Sequence, residues 1–363
     1  MMNDILSELN SKDYIKTLNT NYDIHFCKKS EVTELVEFID KYWRKDHIFV
    51  LSRELLDWQH YDEINDRYNF VIAKHRHSQE IHAILGFIPT YQFDSSIRRV
   101  EVWPCIWKSR ADVHVKGLGA VLYYYTKTNI PIETMTIFGF NKATLDIYNS
   151  WNFSTGKMEQ YYYPNPDEPE VLSANREKTD PVSSNRLGWY IRELSLEEYR
   201  NINPTAIIFK HISPYKSKNF YINRYYLHPM YTYGFLSVYY QNEIQSIIIV
   251  RECCNDTSKC LRIVDYIGEI EHLTNIRYDL QEIMKSEKYE YIDFINVGIS
   301  SEILKKAGFI NRRDKPDTII PHYFEPFLKE NIDLYYAFKT VNPEINVLLY
   351  KADVDQDRPN LPG

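Results

Sequence analysis

Residues 112–153 constrain the fold more than any other stretch of the chain. An apolar run, residues 100–107 (VEVWPCIW), leads into a turn that carries Gly117 and Gly119. Residues 119–127 (GAVLYYYTK) then read as a helix and residues 133–140 (ETMTIFGF) as a second strand. Asn141 opens a further helical stretch that ends at Asn152-Phe153. Strand, glycine turn and helix in that order make a seat for an anion. The first N–H groups of a helix have no partner inside it, and the helix dipole adds partial positive charge there. Glycine lets a ligand approach the backbone with no Cβ in the way. Lys108, Arg110, His114 and Lys116 bracket the turn, a local cationic field suited to phosphates.

The upstream residues supply the rest of an α/β layer. Residues 24–27 (IHFC) read as a strand, and residues 31–43 (EVTELVEFIDKYW) have apolar residues at helical spacing. Ser52 is placed to cap a helix over residues 53–60 (RELLDWQH), with Glu54 in its first turn. The capping box is incomplete, because Leu55 stands where Glu or Gln would close it. Residues 69–73 (NFVIA) and 81–88 (IHAILGFI) read as paired strands about a polar turn.

Length and composition narrow the classes. The chain has 363 residues, room for two domains, and an apolar content of 44% fits a globular core. The formal net charge of −7 argues against a nucleic-acid surface, which needs a basic face. No apolar run reaches the ~18–20 residues of a membrane span, and the first twenty residues lack the pattern of a secretion signal. The five cysteines (27, 105, 253, 254 and 260) have neither metal spacing nor an even count; they fit reduced thiols and a cytoplasmic location. The 31 tyrosines do not by themselves mark a carbohydrate surface.

Residues 163–188 are rich in Pro, Ser, Asp and Asn and read as a linker between domain 1–162 and domain 189–351. The second half repeats the order of the first. Residues 232–238, 244–251, 261–267 and 291–297 read as strands, residues 194–202 and 274–285 as helices, and Gly308-Phe309 closes the series. Its turn differs, since Gly268 is followed by Glu269 and Glu271, which would repel a pyrophosphate. The tail 352–363 alternates Asp353, Asp355 and Asp357 but lacks the glycine and distal glutamate of a calcium loop. It reads as solvated, with contact to a substrate as the alternative.

The succession of strand, glycine turn, helix, strand, and Asn141 with Tyr148 seven residues on resembles the GNAT superfamily of N-acetyltransferases. Gly117 and Gly119 match that family's turn, and His114 stands where Gln or Arg is usual. Asn141, Tyr148 and Phe153 match its second signature, with Asn152 in place of Gly. Asn is the next best residue for a left-handed helix end. The resemblance implies two GNAT-like α/β (α+β) domains, each a mixed, mostly antiparallel twisted sheet flanked by helices. It implies acetyl-CoA or another acyl-CoA, held about Trp107, His114, Val115, Lys116, Gly117, Leu118, Gly119, Ala120 and Asn141, and no metal. Acyl transfer to an amine or hydroxyl then needs an acid for the leaving sulfur, for which Tyr148 is the match. It also needs a base, for which Glu101 is the candidate and His82 and Asp112 the alternates. Leu304 holds the position of Tyr148 in the second copy and cannot donate a proton, so the cofactor is expected in the first domain.

Residues 56–59 (LDWQ), 68–73 (YNFVIA), 85–89 (LGFIP) and the tail (DQDRPN) are similar to a subset of these transferases associated with bacterial surface polysaccharide. That likeness implies an amino sugar or nucleotide sugar as acceptor. The alternatives are a FemABX-like transferase using aminoacyl-tRNA and a non-catalytic binding module of the same fold.

Overall fold

The computed structural model describes residues 20–177, 179, 187–203 and 212–360. The chain divides into two compact units, one of Met1–Thr155, Tyr336–Pro343 and Asn360–Gly363 and another of Gly156–Tyr335 with Glu344–Pro359. Each contains a mixed, mainly antiparallel sheet flanked by helices, the architecture expected from the sequence.

The first unit runs β1 (Tyr22–Lys28), α1 (Val32–Phe38), α2 (Ile48–Leu51), α3 (Arg53–His60), β2 (Tyr61–Asp62), β3 (Arg67–His75), β4 (Ile81–Pro89) and β5 (Glu101–Ser109). It continues with α4 (Leu118–Asn129), β6 (Thr134–Phe138) and α5 (Leu145–Ser150). Ser52 Oγ accepts from Leu55 N at 3.2 Å, so the expected cap of α3 is made. The sheet order is β1, β3, β4, β5, β6, the strand Tyr335–Thr340 and, at the edge, the strand Ser154–Lys157. Alternate residues of β3 and β4 (Val71, Ala73, Ala83, Leu85 and Phe87) pack with Leu118, Val121 and Leu122 of α4 into one core. The period of two on the strands and of three to four on the helix places these residues on facing surfaces.

The second unit repeats the order. Trp189–Glu193, Gly234–Tyr240, Glu243–Cys254, Lys259–Gly268 and Tyr291–Val297 are neighbours in sequence along its sheet, and Glu159–Pro164 lies beyond them. The two sixth strands are thus exchanged. Glu159–Pro164, which follows the first copy and its edge strand Ser154–Lys157, completes the second sheet, and Tyr335–Thr340, which follows the second copy, completes the first. Tyr336 pairs with Phe138 and Thr340 with Thr134 on one side, Tyr161 with Phe294 on the other.

Two stretches behave differently from their polar composition. Residues 163–188 were expected to be a linker, and part of that stretch is buried: Tyr163, Asn165, Leu172 and Ser173 are each 0–1% exposed. Tyr163 lies within the second sheet, and the amides of Val171, Leu172 and Ser173 donate to the fully buried Glu290 carboxylate at 3.1, 2.7 and 2.8 Å. Residues 178 and 180–186 of that stretch lie outside the described residues. The tail was expected to be solvated, and this is corrected. Asp353 and Asp357 are each 1% exposed, paired with Lys216 at 2.7 Å and Arg251 at 2.6 Å. A buried carboxylate needs a partner charge. Both partners lie far away in sequence, so spacing along the tail gave no hint of them.

Candidate functional site

β5 and β6 pair in parallel at two positions only, Glu101 with Thr134 and Val102 with Met135. Beyond them β5 stays bound to β4 as far as Ser109 opposite Ala83, while β6 stays bound to the strand Tyr335–Thr340. The sheet therefore opens into a wedge along the remaining length of β5. A bulge helps: Leu85 faces Trp107 but Phe87 faces Pro104, so Cys105 and Ile106 together lie opposite Gly86. The extra residue bends the strand and interrupts its ladder.

The glycine turn lies at the open end of this wedge. His114 and Gly117 both take positive φ, 50° and 76°, and Gly117 is the N-cap of α4. The first backbone bond of the helix runs from Val121 N to Gly117 O at 3.1 Å. The amides of Leu118, Gly119 and Ala120 have no partner among the described residues. His114 and Lys116 are exposed, and Val115 is half-buried against the core. Leu118 is 2% exposed, so its side chain serves the core while its amide faces the turn. Trp107 Nε1 donates to Gly119 O at 3.1 Å, tying β5 to the helix start. A Cβ on Gly119 would come 3.1 Å from that nitrogen and 3.3 Å from Ser109 Oγ.

The flanking charges are not all available to a ligand. The Arg110 guanidinium bonds Asp112 at 3.1 and 2.8 Å and Glu80 at 3.1 Å, and covers the Tyr42 ring at 4.6 Å. Arg110 is therefore removed from the cationic cradle read in the sequence. Lys108, half-buried on β5, has no ion-pair partner among the described residues.

Tyr148 on α5 is 6% exposed between Phe140 (4.6 Å) and Phe153 (5.7 Å). Burial pushes its phenol up to about 12, so it keeps its proton at neutral pH. Its hydroxyl makes no hydrogen bond among the described residues. Asn152 takes φ 57°, the left-handed end that Gly would supply, and Phe153 N bonds back to Tyr148 O at 3.0 Å. Asn141 acts locally: its Oδ1 accepts from Ala143 N at 2.9 Å and starts the turn before α5.

The carboxylate candidates sit elsewhere. Glu101 is 1% exposed at the closed end of the wedge, 3.4 Å from Arg99, about 20 Å along the strand from Trp107. Asp112 is exposed and held down to about 2 by its hydrogen bond with Arg110. His82 lies on β4, one strand away from the wedge, with Tyr22 OH at 3.0 Å. Its pKa is lowered by burial and by Arg110 and His75.

Sequence reasoning missed an aromatic wall. Tyr123 stacks on Trp151 at 4.7 Å and 14°, and Trp107 stands 6.1 Å and 5.9 Å from the two rings. Trp151 Nε1 is buried and has no hydrogen-bond partner among the described residues. The signal was present: Tyr123 is four residues after Gly119 and Trp151 three after Tyr148, the spacings that share a helix face.

No family model and no curated protein matches the chain. Solved structures do. A GCN5-related N-acetyltransferase from Anabaena variabilis is 11% identical with a TM-score of 0.55, over 88% of this chain and 73% of that one. Another, from Kribbella flavida, is 8% identical with a TM-score of 0.52, over 89% and 72%. A conserved Enterococcus faecalis protein, named as a probable N-acyltransferase, is 9% identical with a TM-score of 0.54, over 88% and 73%.

The fold is that of the GCN5-related N-acetyltransferases. Within that fold the second unit departs from the first at the wedge. Its central strands pair in parallel at Leu261–Ile292, Arg262–Asp293 and Ile263–Phe294 and then separate as well. Here the gap is filled by the chain itself. Tyr350 and Leu349 pair with Asn296 and Val297 on one wall, and Ala352 N bonds Val264 O at 3.1 Å on the other. The closing helix keeps its form, with Phe309 N bonded to Leu304 O at 2.9 Å and Gly308 at φ 92°. This geometry matches that of Tyr148, Asn152 and Phe153 and puts a fully buried leucine where the first unit has its tyrosine.

Proposed function

We propose that the chain is an acyl-CoA-dependent acyltransferase, with acetyl-CoA as the simplest donor and the first unit as the donor site. One observation carries this reading: three unpartnered amides, of Leu118, Gly119 and Ala120, stand at the mouth of the wedge between β5 and β6. They fit a diphosphate, because N–H groups at a helix start converge on an anion and the field of the helix favours it. Gly117 and Gly119 keep the approach free of side chains, and Lys108 and Lys116 add charge.

When bound, the thioester supplies an activated acyl carbon and a sulfur leaving group. Tyr148 carries the proton for that sulfur. Its open hydroxyl and its burial keep it neutral and able to donate as negative charge develops. The acceptor in this reading is a small molecule bearing an amine or hydroxyl, an amino sugar or nucleotide sugar as the sequence likeness implies. The net charge of −7 disfavours a tRNA-linked donor. Five free cysteines and an acyl-CoA donor accord with a cytoplasmic place.

Calorimetric titration with acetyl-CoA tests the reading. Binding of one equivalent is expected, lost in Gly117→Glu and kept in Glu271→Gln, an exposed position in the matching turn of the second unit. Absence of binding to the wild-type protein overturns it.

A further inference from the structure

A cavity of about 380 Å³ opens in the first unit at the end of α4 away from the glycine turn. α4 has 12 residues, so the two places lie about 18 Å apart along it. Three segments form the walls: the turn between β2 and β3, the loop from β4 to β5, and the chain leaving α4. Val100 and Ile130 are its buried lining, where the chain approaches β5 and β6, and Glu133 N bonds Val100 O at 2.9 Å. The volume falls within the ~300–1,000 Å³ of small-molecule sites.

The polar groups around the cavity are of two kinds. Arg67 and Arg98 are cations. Nε of Arg67 is buried and has no hydrogen-bond partner among the described residues. Asp62 Oδ2 lies 3.7 Å from it, beyond hydrogen-bond reach, and the guanidinium covers the Phe26 ring at 3.6 Å. Arg98 is exposed, with no ion pair or hydrogen bond among the described residues. Asp62 is the one carboxylate among the lining residues, and the amide and side chain of Asn65 already donate to it at 3.2 and 2.7 Å. Two guanidiniums against one carboxylate leave a positive charge uncompensated. Lys127 in the last turn of α4 opposes the negative pole of that helix end. The second kind accepts hydrogen bonds. Asn65 and Asn129 direct side-chain N–H groups to Asp62 and Tyr125 O, which leaves both Oδ1 atoms open, and the Ser95 hydroxyl is open as well.

We propose that this cavity binds a polyhydroxylated small molecule carrying one anionic group, a sugar phosphate or a sugar acid. A guanidinium pairs with phosphate or carboxylate through parallel N–H groups, and hydroxyls are the donors that open amide oxygens take. Ile64, 77% exposed, and Tyr91 offer apolar contact to the ring carbons. A neutral sugar would leave Arg67 Nε without an acceptor, and a bare anion would leave the amide oxygens without donors. The cavity shares no residue with the donor seat proposed above, so it stands whether or not acyl-CoA binds there.

The test is calorimetric titration of the full chain with glucose 6-phosphate, glucuronate, glucose and inorganic phosphate. At least one of the two anionic sugars is expected to bind at one equivalent, about tenfold or more tighter than both glucose and inorganic phosphate. The tighter of the two tells whether phosphate or carboxylate is the group held. Arg98→Ala removes an exposed, unpaired cation, so the melting temperature should hold while affinity for that sugar falls about tenfold or more. Lys306→Ala removes the same charge from an exposed position of the second unit and should leave the affinity unchanged. The proposal is overturned if neither anionic sugar binds, if glucose or inorganic phosphate binds as tightly, or if Arg98→Ala keeps the wild-type affinity.

Discussion

Gly117 holds φ 76°, a conformation that costs any residue with a Cβ about 1–2 kcal/mol. Gly117→Ala is expected to lower stability by about that amount and to weaken acetyl-CoA binding, measured by urea melts and calorimetry. Asn152 shows the same requirement met differently. The sequence marks it as a departure from Gly, and its φ of 57° explains why the departure is tolerated. Glu101 was harder to place from sequence, because one residue of register decides which face a strand side chain takes. Its carboxylate is buried beside Arg99. Glu101→Gln should therefore cost about 1–3 kcal/mol of stability while leaving the pH profile of kcat/KM unshifted. A lost basic limb in that profile would restore Glu101 as the base.

Lys351 belongs to the same scale. It is 1% exposed, its ammonium lacks a hydrogen bond among the described residues, and burial lowers it to about 7. Between about pH 7 and 10 the unfolded chain holds this proton and the folded one does not, so stability rises with pH across that window. Lys351→Met should flatten the rise, read as urea midpoints at several pH values.

Among the elements, helices and strands were legible wherever apolar period and caps agreed, as at Ser52 and along 261–267. The wedge was not, because it depends on where β5 and β6 stop pairing, a relation between strands more than thirty residues apart. The filling of the second gap by residues 349–352 was hidden for the same reason: the charges that hold the segment find their partners at Lys216 and Arg251. Asp357→Ala leaves Arg251 buried and unpaired, and should cost about 3–5 kcal/mol with unchanged acetyl-CoA affinity. Gly119→Ala acts at the other gap. Its methyl group crowds Trp107 and Ser109, so acetyl-CoA affinity is expected to fall while the melting temperature changes little.

Over the whole molecule, the repeat of two sheets was readable from the order of strands, but the exchange of their sixth strands was not. The sequence likeness ends near Phe153, and nothing local says that Ser154–Lys157 stays with the first sheet while Glu159–Pro164 joins the second. The exchange makes a clear prediction. A fragment ending at Met158 retains every residue of the proposed donor site but lacks the strand Tyr335–Thr340 beside β6. It should aggregate through that bare edge or fail to bind acetyl-CoA, as followed by size-exclusion chromatography and calorimetry. A soluble fragment with full affinity would show the exchanged strand to be dispensable.

The same exchange sets an order of events during synthesis. A ribosome delivers Tyr335–Thr340 only after the whole second copy has been made, so the nascent first copy waits with one wall of its cleft unsupported. Interrupted translation products then lack a finished cleft.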